Sequence, residues 1–177
     1  MSLAVSFFLL VFLLVFLWTV VRWFAGIGGG APFVPVPRAW LEEAFTACPV
    51  SAEDVVVDLG SGSGTILNAA AGRGARVTGY EFHPILALST RWRLRRFGDR
   101  ARIIRGDLFT ADLSDATIVT VFGLASMREK LLALFASRLA TGVKIVVFLA
   151  PELPYPLVYE GKCVRVYRFV KREHLLV

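Results

Sequence analysis

Apolar positions along the chain fall into three regimes. Residues 1–21 carry no charged side chain and read SFFLLVFLLVFLWTVV through most of their length. About 20 apolar residues in a helix cross a bilayer core of roughly 30 Å, so the pattern predicts a membrane-spanning anchor over residues 1–24. Trp18 and Trp23 fall near its C-terminal end, where aromatic rings favour the interface. A cleaved signal peptide would want a basic segment ahead of a shorter apolar core. Nothing basic precedes this core, and an uncleaved anchor is the expectation. Residues 25–37 then mix a glycine run with alternate prolines in GIGGGAPFVPVP, which reads as a linker ending in a stiff strut.

From residue 38 the periodicity changes. Trp40, Leu41, Ala44 and Phe45 share one helical face in RAWLEEAFTAC, and Pro49 stops that helix. Continuous β-branched runs then alternate with helical segments. Strands are expected at Val55–Leu59, Arg76–Phe82, Arg102–Arg105, Thr117–Gly123 and Val143–Leu149. Helices are expected from the glycine loop to about Gly72, over Pro84–Phe97 and over Met127–Ala140. Pro156–Val170 reads as a hairpin turned at Glu160-Gly161-Lys162. Apolar strands without alternation, spaced by helices, predict a parallel sheet covered on both faces. The expected fold is therefore an α/β, doubly wound domain over residues 38–177, with an antiparallel C-terminal hairpin.

Charge changes this picture in one respect. The first basic residue, Arg22, follows the apolar run, and many more come after it. The positive-inside tendency then puts the domain on the cytoplasmic side of a single-pass membrane protein. A net charge of +6 suits an anionic leaflet and would equally suit nucleic acid. The arginines between 91 and 105 are expected to form a solvated helix face, with lipid headgroups second and RNA third. Cys48 and Cys163 lack metal or CxxC spacing, His83 and His174 are not at ligand spacing, and no metal site is expected.

The candidate chemistry lies at strand ends. Asp58-Leu59-Gly60-Ser61-Gly62-Ser63-Gly64 follows the first strand and opens a helix. Gly60 and Gly62 permit a sharp turn and let a ligand lie on the main chain, while Gly64 lets the helix pack close to the strand. Glu81 ends the next strand, 23 residues after Asp58, where a carboxylate accepts from ribose hydroxyls. Phe82 follows it. Asp107 and Leu108, after the third strand, are placed for the exocyclic amine and ring of adenine. Nicotinamide and flavin folds favour G-x-G-x-x-G facing a pyrophosphate. The G-x-G-x-G loop behind an Asp points instead to S-adenosylmethionine, with Asp58 helping to hold its ammonium through the loop.

DLGSGSG, GYE and GDL resemble motifs of the class I methyltransferase superfamily across residues 54–150, which implies a Rossmann-like sheet. Ala31-Pro32-Phe33-Val34-Pro35 behind one apolar helix is similar to the family of the ATP synthase c-subunit and adenine nucleotide translocase lysine N-methyltransferases. So are Asp107-Leu108-Phe109 leading to Asp112-Leu113-Ser114, and Val121-Phe122-Gly123-Leu124 with Met127. This resemblance implies a lysine acceptor on a membrane-associated protein, with nucleic acid not expected as a partner. Phe33, Pro35, Phe122 and Gly123 are candidates for the substrate wall, against plain core packing for Phe122 and Met127 and a plain spacer for the prolines. The Asn/Asp-Pro-Pro-Tyr/Phe motif of many amino-group methyltransferases is absent after the fourth strand, which leaves aliphatic amines open. Methyl transfer to a lipid, and a non-catalytic membrane scaffold, are the rival readings.

Overall fold

A computed structural model describes residues 3–24, 34–123, 125–149 and 152–171. They form two compact units, residues 1–34 and 35–177. The first contains helix α1, Leu3–Phe24. At 1.5 Å per residue its 22 residues extend roughly 33 Å, and it is long and apolar enough to cross a membrane. The Thr19 hydroxyl donates to the Phe16 carbonyl at 2.7 Å, so the helix satisfies that polar group internally.

The second unit contains α2 (Arg38–Ala47), β1 (Val55–Leu59), α3 (Thr65–Gly72), β2 (Arg76–Glu81), α4 (Pro84–Leu94), β3 (Ala101–Arg105), β4 (Ile118–Phe122), α5 (Arg128–Arg138), β5 (Lys144–Phe148), β6 (Leu157–Glu160) and β7 (Val164–Arg168). The seven strands form one sheet in the order β3-β2-β1-β4-β5-β7-β6. β1 to β5 pair in parallel, and β7 lies antiparallel to both β5 and β6. The expected hairpin is present, and β7 is inserted between β5 and the edge strand β6. Its turn is held by the Gly161 N–H on the Val164 carbonyl at 2.9 Å and by an Arg165–Glu160 ion pair at 2.9 Å.

Successive strand residues point to opposite faces, and the core divides accordingly. Val56, Ile118, Val146 and Phe148 pack with α2, α3 and α4, through residues such as Phe45, Leu67 and Leu94. Val57, Val119, Ile145 and Val147 face α5 and the segment before β4, against Leu113, Leu131 and Phe135. Both faces are covered, as the continuous apolar strands predict. Cys48 is buried and Cys163 half-buried, and both thiols are free.

Most element ends lie within two residues of their sequence expectation, and one differs by more. The helix expected over Pro84–Phe97 is α-helical only to Leu94 and continues as a 3-10 turn over Arg95–Arg100. Gly98, at φ 56° and ψ −136°, breaks helical geometry there and turns the chain into β3. The strand order reverses direction at β1, whose neighbours are β2 on one side and β4 on the other. In open α/β sheets the crevice at such a switch point, outside the strand C-termini, is where ligands bind.

Candidate active site

β1 delivers Asp58 and Leu59 to that crevice, and the chain turns through Gly60–Gly64 into α3. Gly60, Gly62 and Gly64 adopt φ of 86°, 50° and 72°, a region that costs a residue with a Cβ roughly 1–2 kcal/mol. The Gly60 and Ser61 N–H groups both donate to the Tyr80 carbonyl of β2 at 2.9 Å. The Gly62 carbonyl accepts from the Thr90 hydroxyl of α4 at 2.8 Å. A Cβ on Gly64 would overlap the Thr90 side chain, and one on Gly79 would overlap Leu67 and Ser61. The loop is thus clamped between β2 and α4, with Gly64 and Gly79 at positions where a side chain would clash.

Glu81, at the end of β2, is 8% exposed. Its Oε2 accepts from the Gly62 N–H at 2.8 Å and its Oε1 from the His83 N–H at 2.7 Å. Each carboxylate oxygen has two lone pairs, so both bonds leave acceptor capacity for a ligand hydroxyl. The Ser61 hydroxyl is buried without a hydrogen-bond partner among the described residues. A buried carboxylate with acceptor capacity, a main-chain wall stripped of Cβ atoms and an orphaned hydroxyl fit a ribose-bearing ligand lying along the loop.

Asp58 is 2% exposed, and its Oδ1 accepts from the Thr120 hydroxyl at 2.6 Å. The two face each other across the β1–β4 ladder. Burial pushes the Asp58 carboxyl up to about 7; the Thr120 bond opposes that rise, and the Glu81 charge adds to it. Asp58 therefore titrates near neutrality, where its charge can answer a neighbouring cation.

The third expected element is placed differently in character. Asp107 is exposed, and its Oδ1 accepts from the Phe109 N–H at 3.0 Å, capping the turn Leu108–Thr110. It is brought alongside Glu81 by the Gly106 N–H, which donates to the Glu81 carbonyl at 3.1 Å. Leu108 reaches the loop: a Cβ on Gly60 would stand 3.8 Å from Leu108 Cδ2. Phe82 is 51% exposed beside Glu81. His83 forms the N-cap of α4, its Nδ1 accepting from the Leu86 N–H at 3.5 Å.

Among the substrate-wall candidates, Phe122 ends β4 and packs partly against the core, Met127 does so on the opposite face, and Gly123 is buried just beyond β4. Pro35 is exposed ahead of α2. Phe33 and Leu124 lie outside the described residues. Leu149 lies near these strand ends: it follows Phe148, the register partner of Phe122, and is 54% exposed with a φ of 49°.

Three residues that position the site escaped the sequence reading. Thr120 holds Asp58, Thr90 holds Gly62, and the Tyr80 hydroxyl accepts from the Asp112 N–H at 2.9 Å. Thr120 had a signal, as the lone polar residue inside Ile118–Phe122. The other two reveal themselves only through contacts remote in sequence.

This geometry has parallels among known proteins. The model of the ANTKMT methyltransferase domain matches residues 58–150. A protein-lysine N-methyltransferase of Saccharolobus islandicus is 31% identical over 119 residues, covering 65% of this chain and 74% of that protein. The ATP synthase c-subunit lysine N-methyltransferase of Xenopus laevis is 30% identical over 127 residues, 71% of this chain and 54% of that protein; the chain spans about half the length of this relative. An RNA methyltransferase from Salinibacter ruber, solved with S-adenosyl-L-homocysteine, superposes with a TM-score of 0.69 at 32% identity, over 80% of this chain and 96% of that one. With the glycine loop and Glu81 lying inside the matched segment, the chain belongs to the ANTKMT methyltransferase domain family and is an S-adenosylmethionine-dependent methyltransferase.

Proposed function

We propose that this protein methylates lysine side chains of a membrane-associated protein, from a position fixed by α1. What carries the acceptor assignment is that relatives at 31% and 30% identity, over 65% and 71% of the chain, are both lysine N-methyltransferases. In this reading Glu81 accepts from the ribose hydroxyls, and Phe82 and Leu108 flank the adenine. Asp107 accepts from the adenine amine through the carboxylate oxygen not used in capping. Gly60, Ser61 and Gly62 form the wall along which the cofactor lies, Gly64 holds α3 close, and Asp58 supplies negative charge behind the loop.

S-adenosylmethionine supplies a methyl group on a sulfonium, already activated for in-line displacement. The protein's task is to hold a neutral amine in line and keep water out. Lysine is charged at neutral pH, and transfer into an apolar slot lowers its pKa. Phe122, Gly123 and Leu149 at the ends of β4 and β5 offer such a slot. No general-base triad is required: desolvation lowers the pKa of the lysine ammonium, which gives its proton to solvent water before the neutral amine attacks.

Residues 3–24 satisfy the length and composition of a membrane span. An anchored enzyme meets a membrane-embedded acceptor at a raised effective concentration. The likeness to the Salinibacter RNA methyltransferase, at 32% identity, favours RNA as the second reading. The test is to incubate the protein, in membranes, with labelled S-adenosylmethionine, then fractionate protein, lipid and RNA and map mass shifts on lysine. Label in protein lysine is expected. Label confined to RNA or lipid would overturn the assignment, and no label with intact S-adenosylhomocysteine binding would support a non-catalytic scaffold.

A further inference from the structure

Helix α4 presents an unusual outer surface. Its buried side consists of Ala87, Thr90 and Leu94. The opposite pole should be polar on a solvated helix, yet it carries Ile85, Leu88 and Trp92 at i, i+3 and i+7, which are 57%, 65% and 66% exposed. Arg91, Arg93, Arg95 and Arg96 border this stripe, and all are exposed. No Asp or Glu occurs from Phe82 to Gly98. The Arg95 guanidinium lies 4.5 Å over the Trp92 ring. Arg91 donates to the Ile103 carbonyl at 3.0 Å and Arg96 to Asn68 Oδ1 at 2.9 Å. Those bonds steady the border, and each uses only one of a guanidinium's five N–H donors.

An apolar stripe of Ile, Leu and Trp with arginines along both sides is the composition of a helix lying in a membrane interface. Such a helix sinks its apolar side about 5–10 Å into the headgroup boundary while cations pair with anionic lipid. Other occupants fit less well. Single-stranded nucleic acid wants aromatic faces for stacking, and two of the three stripe residues are aliphatic. A second copy of the chain would set arginine against arginine.

We propose that α4 seats on an anionic membrane surface, with Ile85, Leu88 and Trp92 entering the headgroup region and the bordering arginines pairing with lipid phosphates. This goes beyond the acceptor assignment and depends on neither lysine nor methyl transfer. It uses α1 only to keep a bilayer nearby.

The test uses the full chain in nanodiscs of phosphatidylcholine with brominated tails, with and without phosphatidylserine. The Trp92 emission is isolated as the difference from Trp92→Phe, and the anchor emission as the difference from Trp18→Phe. Seating predicts bromine quenching of the Trp92 component that grows with phosphatidylserine and is lost in high salt. Arg93→Gln and Arg95→Gln should each lower the ratio of seated to unseated chain about fivefold. Leu88→Asp should abolish the quenching with helicity retained. A Trp92 component equally bright with and without bromine, while Trp18 is quenched, overturns the proposal. So does Trp92 emission that responds to added RNA but not to brominated tails. Quenching of Trp92 without quenching of Trp18 would overturn the anchor reading and leave the seating of α4 standing.

Discussion

A carboxyl that titrates near neutrality behind a cofactor loop makes affinity depend on pH in a calculable way. Asp58 is pushed up to about 7 by burial, despite the Thr120 bond that favours its ionised form, with the Glu81 charge adding to the rise. The ammonium of S-adenosylhomocysteine favours the carboxylate over the carboxylic acid. Binding should then be strongest above about pH 8 and weaken tenfold per unit below about 7, reaching roughly 100-fold near pH 5. Titration calorimetry across that range, repeated in buffers of different ionisation enthalpy, reads both the affinity and the proton released. Thr120→Val removes a bond to the carboxylate and should move the midpoint to higher pH, whereas Asp58→Asn should bind weakly with little pH dependence. The ligand-free fold should move the opposite way. Its Asp58 retains a proton that the unfolded chain gives up above about pH 4, so this group's contribution is largest at low pH. That contribution falls by up to about 4 kcal/mol as pH rises from about 4 to about 7. Wild-type affinity that is flat between about pH 5 and 8, or a decline shared by Asp58→Asn, would refute the role given to Asp58.

Glu81→Ala should leave the Gly62 and His83 N–H groups without their acceptor, costing about 1–3 kcal/mol for each that stays buried. Chemical denaturation reads that loss, and Glu81→Gln should recover part of the stability without recovering cofactor affinity. Gly64→Ala should cost at least the roughly 1–2 kcal/mol of its left-handed backbone plus a clash with the Thr90 methyl. Thr90→Ser keeps the hydroxyl and removes the methyl, so a double-mutant cycle should show recovery of the clash and not of the backbone strain. Leu149→Gly should stabilise the fold by up to about 1 kcal/mol in urea melts by relieving its φ of 49°. If Leu149 lines the acceptor slot, the same change should lower turnover more than it alters cofactor affinity.

The parts of this protein legible in its sequence are those written in local patterns. Apolar runs foretold β1, β4 and β5, because strands buried on both faces have few polar positions. Gly60, Gly62 and Gly64 were legible because a left-handed turn restricts residue type whatever else surrounds it, and Asp58 and Glu81 because each is a carboxylate at the C-terminal end of a strand. Asp107 was legible as a position but not as an environment, since nothing local shows that its Oδ1 is already engaged in capping the Leu108–Thr110 turn. The α-helix beginning at Pro84 was read too long because Gly98 lies a full turn beyond the point at which α geometry gives way to 3-10.

What stayed hidden is the layer behind the site. Thr120 and Asp58 are 62 residues apart, and Thr90 and Gly62 are 28 apart; each pair exists only because β1 adjoins β4 and α4 packs on α3. Such contacts convert generic residues into specific ones. A threonine inside β4 is a defect in an apolar strand until β1 sets a buried carboxyl opposite it. It then becomes the donor that favours the ionised form of Asp58 against burial. The order of the strands thus turns a glycine loop into a site whose charge can respond to its ligand. For that reason Thr120→Val, which touches no ligand, is the variant that best separates a positioning role at Asp58 from a purely structural one: a structural role lowers stability alone, while a positioning role also moves the pH midpoint of binding.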